Sequence, residues 1–211
     1  MLWDEQKIQE LLLDRFPWFI KTYRSYKHMI QRVDSARYFI LYEYGGFSID
    51  VDMKSIRPLD ILLERYSNAQ MIISRLPFSA SEGWLLKPIF GTDILYTNAV
   101  IATAKHFYVW ERILHSLPRC RNKYSFSKLL NVIAATGPAF FSLGIEEYLQ
   151  TDPSIIALHH RFFESGFSFD KNLNFSEDAY AEHHQEASWH SGFFKFIFNQ
   201  YFVVKNLLKG K

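Results

Sequence analysis

The sequence is poor in cysteine, in glycine-rich or proline-rich runs, and in charge of one sign. Cys120 is the one cysteine among 211 residues, which excludes an internal disulfide and a cysteine-based zinc site. A single thiol of this kind reads as a small hydrophobe. Nine glycines and seven prolines are spread along the chain, so there is no low-complexity linker, and no internal repeat is found. Lys and Arg number 24 against 22 Asp and Glu. The basic residues look scattered, so the clustered footprint of a nucleic-acid binder is missing and nucleic acid is set aside as a partner. No run reaches the ~18 apolar residues that a membrane span needs, and the opening MLWDEQKIQELLLDRF is charged throughout, unlike a secretory signal. A soluble globular chain is expected. Aromatic side chains are plentiful, at 18%, and they require a core or a ligand surface.

Asp4 is placed to cap a helix with Ile8, Leu11, Leu12 and Phe16 on one side, stopped by Pro17. A second helix is expected over 18–27. A third runs through IQRVDSARYFILYEYGG, with Val33, Ala36, Ile40 and Leu41 inward and the glycine pair as its stop signal. A strand follows, in which Phe47, Ile49 and Val51 take one face and Ser48, Asp50 and Asp52 the other. IRPLD opens a short helix, MIISR reads as a buried strand, and SASEGWLLKPIFGTD reads as a loop. TNAVIAT is a third strand, followed by a helix over 106–117. Gly137 and Pro138 suit the entrance of another helix. The order between 153 and 184 is left open. Asn174 begins a glycosylation signal that matters only in a secreted chain. Strands interspersed with helices give an α/β class.

The chemistry-bearing feature is Asp50-Val51-Asp52. Alternation along a strand aims both carboxylates to one side, about 6–7 Å apart, where they can share a divalent cation or its water shell. Hard oxygen ligands favour Mn²⁺ or Mg²⁺, held by one or two carboxylates together with substrate phosphates. By itself the pair is a weak signal and better suits a solvated strand end, so the surrounding residues must decide. An aspartate-nucleophile phosphatase fits poorly, because the run alternates and Lys54 stands where Thr or Val is expected.

The stretch IQRVDSARYFILYEYGGFSIDVDMKSIRPLD resembles the sugar-binding region of D-x-D glycosyltransferases, specifically glycosyltransferase family 32. The resemblance implies a GT-A-type, Rossmann-like α/β domain over 1–192 and a metal-dependent, retaining transfer of a hexose. It puts Asp34, Arg37 and Tyr38 at the donor sugar, with Arg37 and Asp52 counted with Asp34 as catalytic, and Gly45 and Gly46 between them and the metal-binding Asp50 and Asp52. TNAVIAT and ATGPAFF look like later blocks of the family, which makes Asn98, Gly137 and Pro138 site-rim candidates. AEHHQEASWHSG resembles the family's closing segment; His183, then His184, would complete the metal shell, and Ser188 and Trp189 would close over the nucleotide.

RYFILYEYGG, RPLDILL, TGPAFF and SWH together look most like the inositol-phosphorylceramide mannosyltransferases. This implies GDP-mannose as donor, with UDP-hexoses as the alternative, and a lipid or glycan acceptor. The segment 193–211 reads as an apolar helix with a basic stripe, suited to packing or to peripheral membrane contact. The family's usual first strand has no counterpart before the opening helices. A catalytically silent remnant that serves as a binding or scaffold partner is therefore the alternative to an enzyme.

Overall fold

The computed structural model describes residues 2–78, 80–163 and 178–184. Ser188, Trp189, the Asn174 signal and the helix expected over 193–211 lie outside the described residues.

Helix α1 (Glu5–Arg15) starts where Asp4 accepts a hydrogen bond from the Lys7 backbone N–H at 2.9 Å, and it buries Leu11 and Leu12. The short α2 (Ile20–Ser25) leads to α3 (Met29–Tyr44). Val33, expected to face inward, is 43% exposed. The inward stripe of α3 begins instead with Gln31, Asp34, Ser35 and Tyr38, all buried. Ala36 and Leu41 are buried and Ile40 packs on the core, as expected, but polar residues fill the i, i+3, i+4, i+7 stripe of the first turns, which a count of apolar side chains passes over.

Gly45 ends α3 at φ 66° and Gly46 follows at φ 85°. A Cβ on Gly45 would stand 2.7 Å from the Lys105 backbone nitrogen, so this position tolerates only glycine. The chain then enters a four-stranded mixed sheet of order β1-β4-β3-β5. Its strands are β1 (Gly46–Ile49), β3 (Met71–Ser74), β4 (Val100–Thr103) and β5 (Ile155–Leu158). β4 runs antiparallel to both β1 and β3, while β3 and β5 are parallel. A separate two-stranded sheet pairs β2 (Met53–Ser55) with β6 (Ala181–His183).

The four-stranded sheet is covered on both sides, which is why β3 and β4 are buried at every residue. Met71, Ile73, Ile101 and Ile155 join the larger core with residues from α1, α2, α3, α6 (Val109–Cys120) and α8 (Pro138–Thr151). Ile72, Val100, Ala102 and Leu158 face the opposite way, onto Leu62 of α4 (Leu59–Arg65) and onto Tyr180 and Ala181. The α/β reading is borne out.

Two local expectations are corrected. The strand expected to run through Asp52 stops at Ile49; residues 50–53 form a turn closed by Met53 N–H to Asp50 C=O at 3.1 Å. The last ladder-like bond is Asp50 N–H to Ala99 C=O, and beyond it Val51 is fully exposed. The segment expected to be a loop holds α5 (Ala80–Phe90). Its Pro88 has no N–H to offer the Trp84 carbonyl four residues back, and Gly91 at φ 89° terminates the helix. Between α6 and α8 lies α7 (Lys128–Ala135). Taken together, Lys128–Thr151 is long and apolar enough to cross a membrane, contrary to the expectation, yet 67% of its most apolar window is buried inside the fold.

Candidate functional site

Asp50 and Asp52 come together because the chain turns between two sheets rather than because a strand alternates. β1 ends the larger sheet, β2 begins the smaller one, and the turn between them carries both carboxylates. β6 then brings an imidazole to the same place: its register pairs His183 with Met53, and the His184 N–H bonds the Asp52 carbonyl at 3.0 Å. His183 Nε2 lies 3.5 Å from Asp52 Oδ1. One ligand atom each from Asp50, Asp52 and His183 lie within 4.8 Å of one another. Donors around a Mg²⁺-sized ion at about 2.1 Å are at most ~4.2 Å apart, so the triad fits a single divalent cation after closing by at least ~0.6 Å. His184 is placed differently. It points with Glu182, at 3.9 Å, and its side chain is half exposed.

Behind this triad is a buried polar network. Arg37 on α3 donates to the Asp50 carboxylate and to the Asn98 carbonyl, and stands 3.9 Å from Asp34 Oδ1. Asn98 Nδ2 donates to Asp34 Oδ1 at 3.1 Å, and Thr136 Oγ1 donates to Asp34 Oδ2 at 3.2 Å. The Tyr38 hydroxyl donates to the Thr136 carbonyl at 2.6 Å. Each oxygen of Asp34 therefore has a named donor, and the guanidinium links the helix carboxylate to the turn carboxylate.

The electrostatics follow from this burial. Desolvation pushes the Asp34 carboxyl up to about 7, against the pull of Arg37 and the two hydrogen bonds. Burial also raises Asp50, again opposed by Arg37. Burial works against the charge on Arg37, but Asp50 and then Asp34 outweigh it and leave its pKa raised. The Tyr38 hydroxyl is held protonated by burial and by Asp34. Net, Asp34 and Arg37 are shielded from water, and Asp50 joins them at a partly exposed edge.

Of the residues picked from the sequence, Asp34, Arg37, Tyr38, Asn98, Asp50, Asp52 and His183 fall into one contiguous group. Gly45 and Gly46 lie at the far end of β1 and shape the backbone there. Gly137 and Pro138 open α8 immediately after Thr136, so they fix the place of a contact rather than make one. Thr136 was missed, although it begins the T-G-P block. Its signal was a hydroxyl residue at the C-cap of α7 beside that block, and nothing in one dimension pairs it with Asp34.

Residues 1–69 match the family described as glycosyltransferase sugar-binding region containing DXD motif. This region of the chain matches the DXD-motif glycosyltransferases that its residues resemble. Inositol phosphoceramide mannosyltransferase 1 of Schizosaccharomyces pombe is 34% identical over 72% of this chain and 41% of its own length. Inositol phosphoceramide mannosyltransferase 3 of the same organism is 30% identical over 94% of this chain and 49% of its own. An uncharacterized glycosyltransferase of Acanthamoeba polyphaga mimivirus is 27% identical over 96% of this chain and 75% of its own. The chain thus spans about half, or less, of the two yeast relatives.

Proposed function

We propose that the chain forms a GT-A-type domain that moves a hexose, mannose favoured, from a nucleotide-diphosphate sugar to a hydroxyl of a lipid-linked inositol or a glycan, with retention of configuration. The observation that carries this reading is the convergence of Asp50, Asp52 and His183 next to the Asp34–Arg37 pair. Two carboxylates and an imidazole suit Mn²⁺ or Mg²⁺ better than a softer metal. When bound there, the ion supplies charge stabilisation for the departing nucleotide diphosphate.

The chain's own residues do the rest. Asp50 has enough lone-pair capacity to accept from Arg37 and still offer an oxygen to a cation. Asp34 is clamped by Asn98 and Thr136 so that its carboxylate keeps one orientation beside Arg37, which preorganises an acceptor and a donor for sugar hydroxyls. The partial exposure of Asp50, at 33% of its side chain, leaves this pair reachable from solvent through the turn. The names of the two yeast relatives support mannose and an inositol-phosphoceramide acceptor.

The test is donor hydrolysis and transfer with GDP-mannose and UDP-hexoses, with and without Mn²⁺. Metal-dependent turnover is expected, lost in Asp52→Ala and retained in Lys54→Ala, because Lys54 is exposed and faces away in the β2–β6 register. Absence of both turnover and metal-dependent nucleotide binding would leave the scaffold reading instead.

A further inference from the structure

The formal charge of the chain is close to neutral, but the fold does not distribute it evenly. Residues 15–33 and 112–145 together hold ten of the 24 Lys and Arg and none of the 22 Asp and Glu. The structure sets these two acid-free stretches against each other; of their ten basic residues, Arg15 and Arg112 pair with Glu43 and Glu147 from outside them. Trp18 stacks on His115 with ring centroids 4.6 Å apart. The Arg121 guanidinium donates to the Ser25 hydroxyl at 2.9 Å. Lys128 and Lys27 both lower the pKa of His28, after burial, which brings the start of α7 beside the start of α3.

On this basic side the chain also exposes large apolar side chains. Phe126, at the tip of the α6–α7 connection, is 81% exposed, and Met29, at the first turn of α3, is 61% exposed. The connection itself is held in shape: Tyr124 N–H bonds Asn131, its hydroxyl donates to the Ile89 carbonyl, and its ring meets that of Phe126 at 5.9 Å. Phe126 is thus presented to solvent by an anchored loop. An aromatic and a methionine projecting among lysines and arginines match a bilayer surface, where apolar tips enter the interface and cations meet anionic headgroups. A soluble polyanion would use the charge and leave both apolar tips unexplained.

We propose that the face built from the α2–α3 turn and the α6–α7 connection docks on an anionic lipid bilayer, with Lys27, Arg121, Lys123 and Lys128 supplying the charge and Met29 and Phe126 the insertion. Asp34 lies five residues along α3 from Met29, about 7.5 Å of helix rise, so docking would hold the sugar-binding pair close to the membrane. The consequence for a lipid acceptor rests on the transferase reading; the docking itself does not.

The experiment is flotation of the full chain with phosphatidylcholine vesicles, with and without phosphatidylserine, at low and high salt. Partition onto the serine-containing vesicles is expected, weakened by salt. Lys123→Gln and Lys128→Gln should each reduce it about fivefold, and Phe126→Ser should reduce it with no change in salt dependence. All three positions are exposed, and a thermal melt checks that each variant folds. Equal binding to neutral vesicles, no binding to either, partition unchanged in the variants, or retention by RNA but not by vesicles would each overturn the proposal. Metal-dependent donor hydrolysis measured on the same variants reports on the transferase reading separately, since none of these residues lies in the Asp34–Asp50–His183 group.

Discussion

Asp34 has its carboxylate buried on a helix face that also carries Tyr38, and each oxygen receives one donor. Removing the Thr136 hydroxyl leaves Oδ2 without that donor in a site closed to water, which destabilises by about 1–3 kcal/mol. Thr136→Val should therefore lower the free energy of unfolding in urea by that amount and raise the KM for donor more than it lowers kcat. Thr136→Ser, which keeps the hydroxyl, should restore both. The proton on Asp34 gives a second prediction. Its folded pKa, about 7, lies above the ordinary 3.8, so the folded state holds a proton that the unfolded state has released. Stability from this group is complete below 3.8 and falls as pH rises toward 7. Unfolding free energies of the metal-free protein across that window should decline with pH, and Asp34→Asn should flatten the decline; an unchanged slope in the variant would place the titration elsewhere.

At the scale of elements, the two glycines after α3 are separable. A Cβ at Gly45 meets backbone atoms of Thr103 and Lys105, whereas at Gly46 it meets nothing within 4 Å. Both carry positive φ, which costs a non-glycine residue roughly 1–2 kcal/mol. Gly46→Ala should lose about that much in chemical denaturation, and Gly45→Ala distinctly more, because the backbone it meets cannot swing aside. The β6 strand separates its histidines in the same way. Residues 182 and 184 share one side of the strand and 183 takes the other, so His183→Ala should weaken Mn²⁺ binding at least tenfold by calorimetry while His184→Ala leaves it nearly unchanged. Loss of outer partners alone is worth about 10–100-fold in metal affinity, which sets the scale for a direct ligand.

The elements also show what one dimension could convey. The helix bearing Asp34 and Arg37, its glycine stop, the buried strands and the α8 entrance all follow from local spacing, and so they were legible. The turn at Asp50 was not, because Phe47-Ser48-Ile49-Asp50-Val51-Asp52 alternates perfectly and only the end of pairing with β4 at Ala99 shows that the strand has stopped. Thr136 and Asn98 meet Asp34 across more than sixty residues, a distance at which spacing carries no information. The misplacement of Val33 has the same origin: Asp34 takes an inward position because its partners, Thr136 and Asn98, arrive from the end of α7 and from the segment before β4.

For the whole molecule, the triad joins segments that are far apart in the chain. Asp50 and Asp52 follow the larger sheet, while His183 arrives on β6 of the smaller one, some 130 residues later. A cation held by all three binds the folded arrangement and not the unfolded chain, so it links the two sheets and must raise stability by mass action. At a hundredfold excess over Kd that gain is about 2.7 kcal/mol. For a chain of this size it corresponds to a rise in Tm of roughly 5–10 °C. Thermal melts with Mn²⁺ should show the shift, EDTA should reverse it, and Asp52→Ala should abolish it even if no substrate is present. Lys54→Ala, next to the turn but outside the triad, should keep it. A melt indifferent to Mn²⁺ in the unsubstituted chain would mean that these three side chains do not close on a cation, and the donor would then have to be held by Arg37 and the helix carboxylate alone.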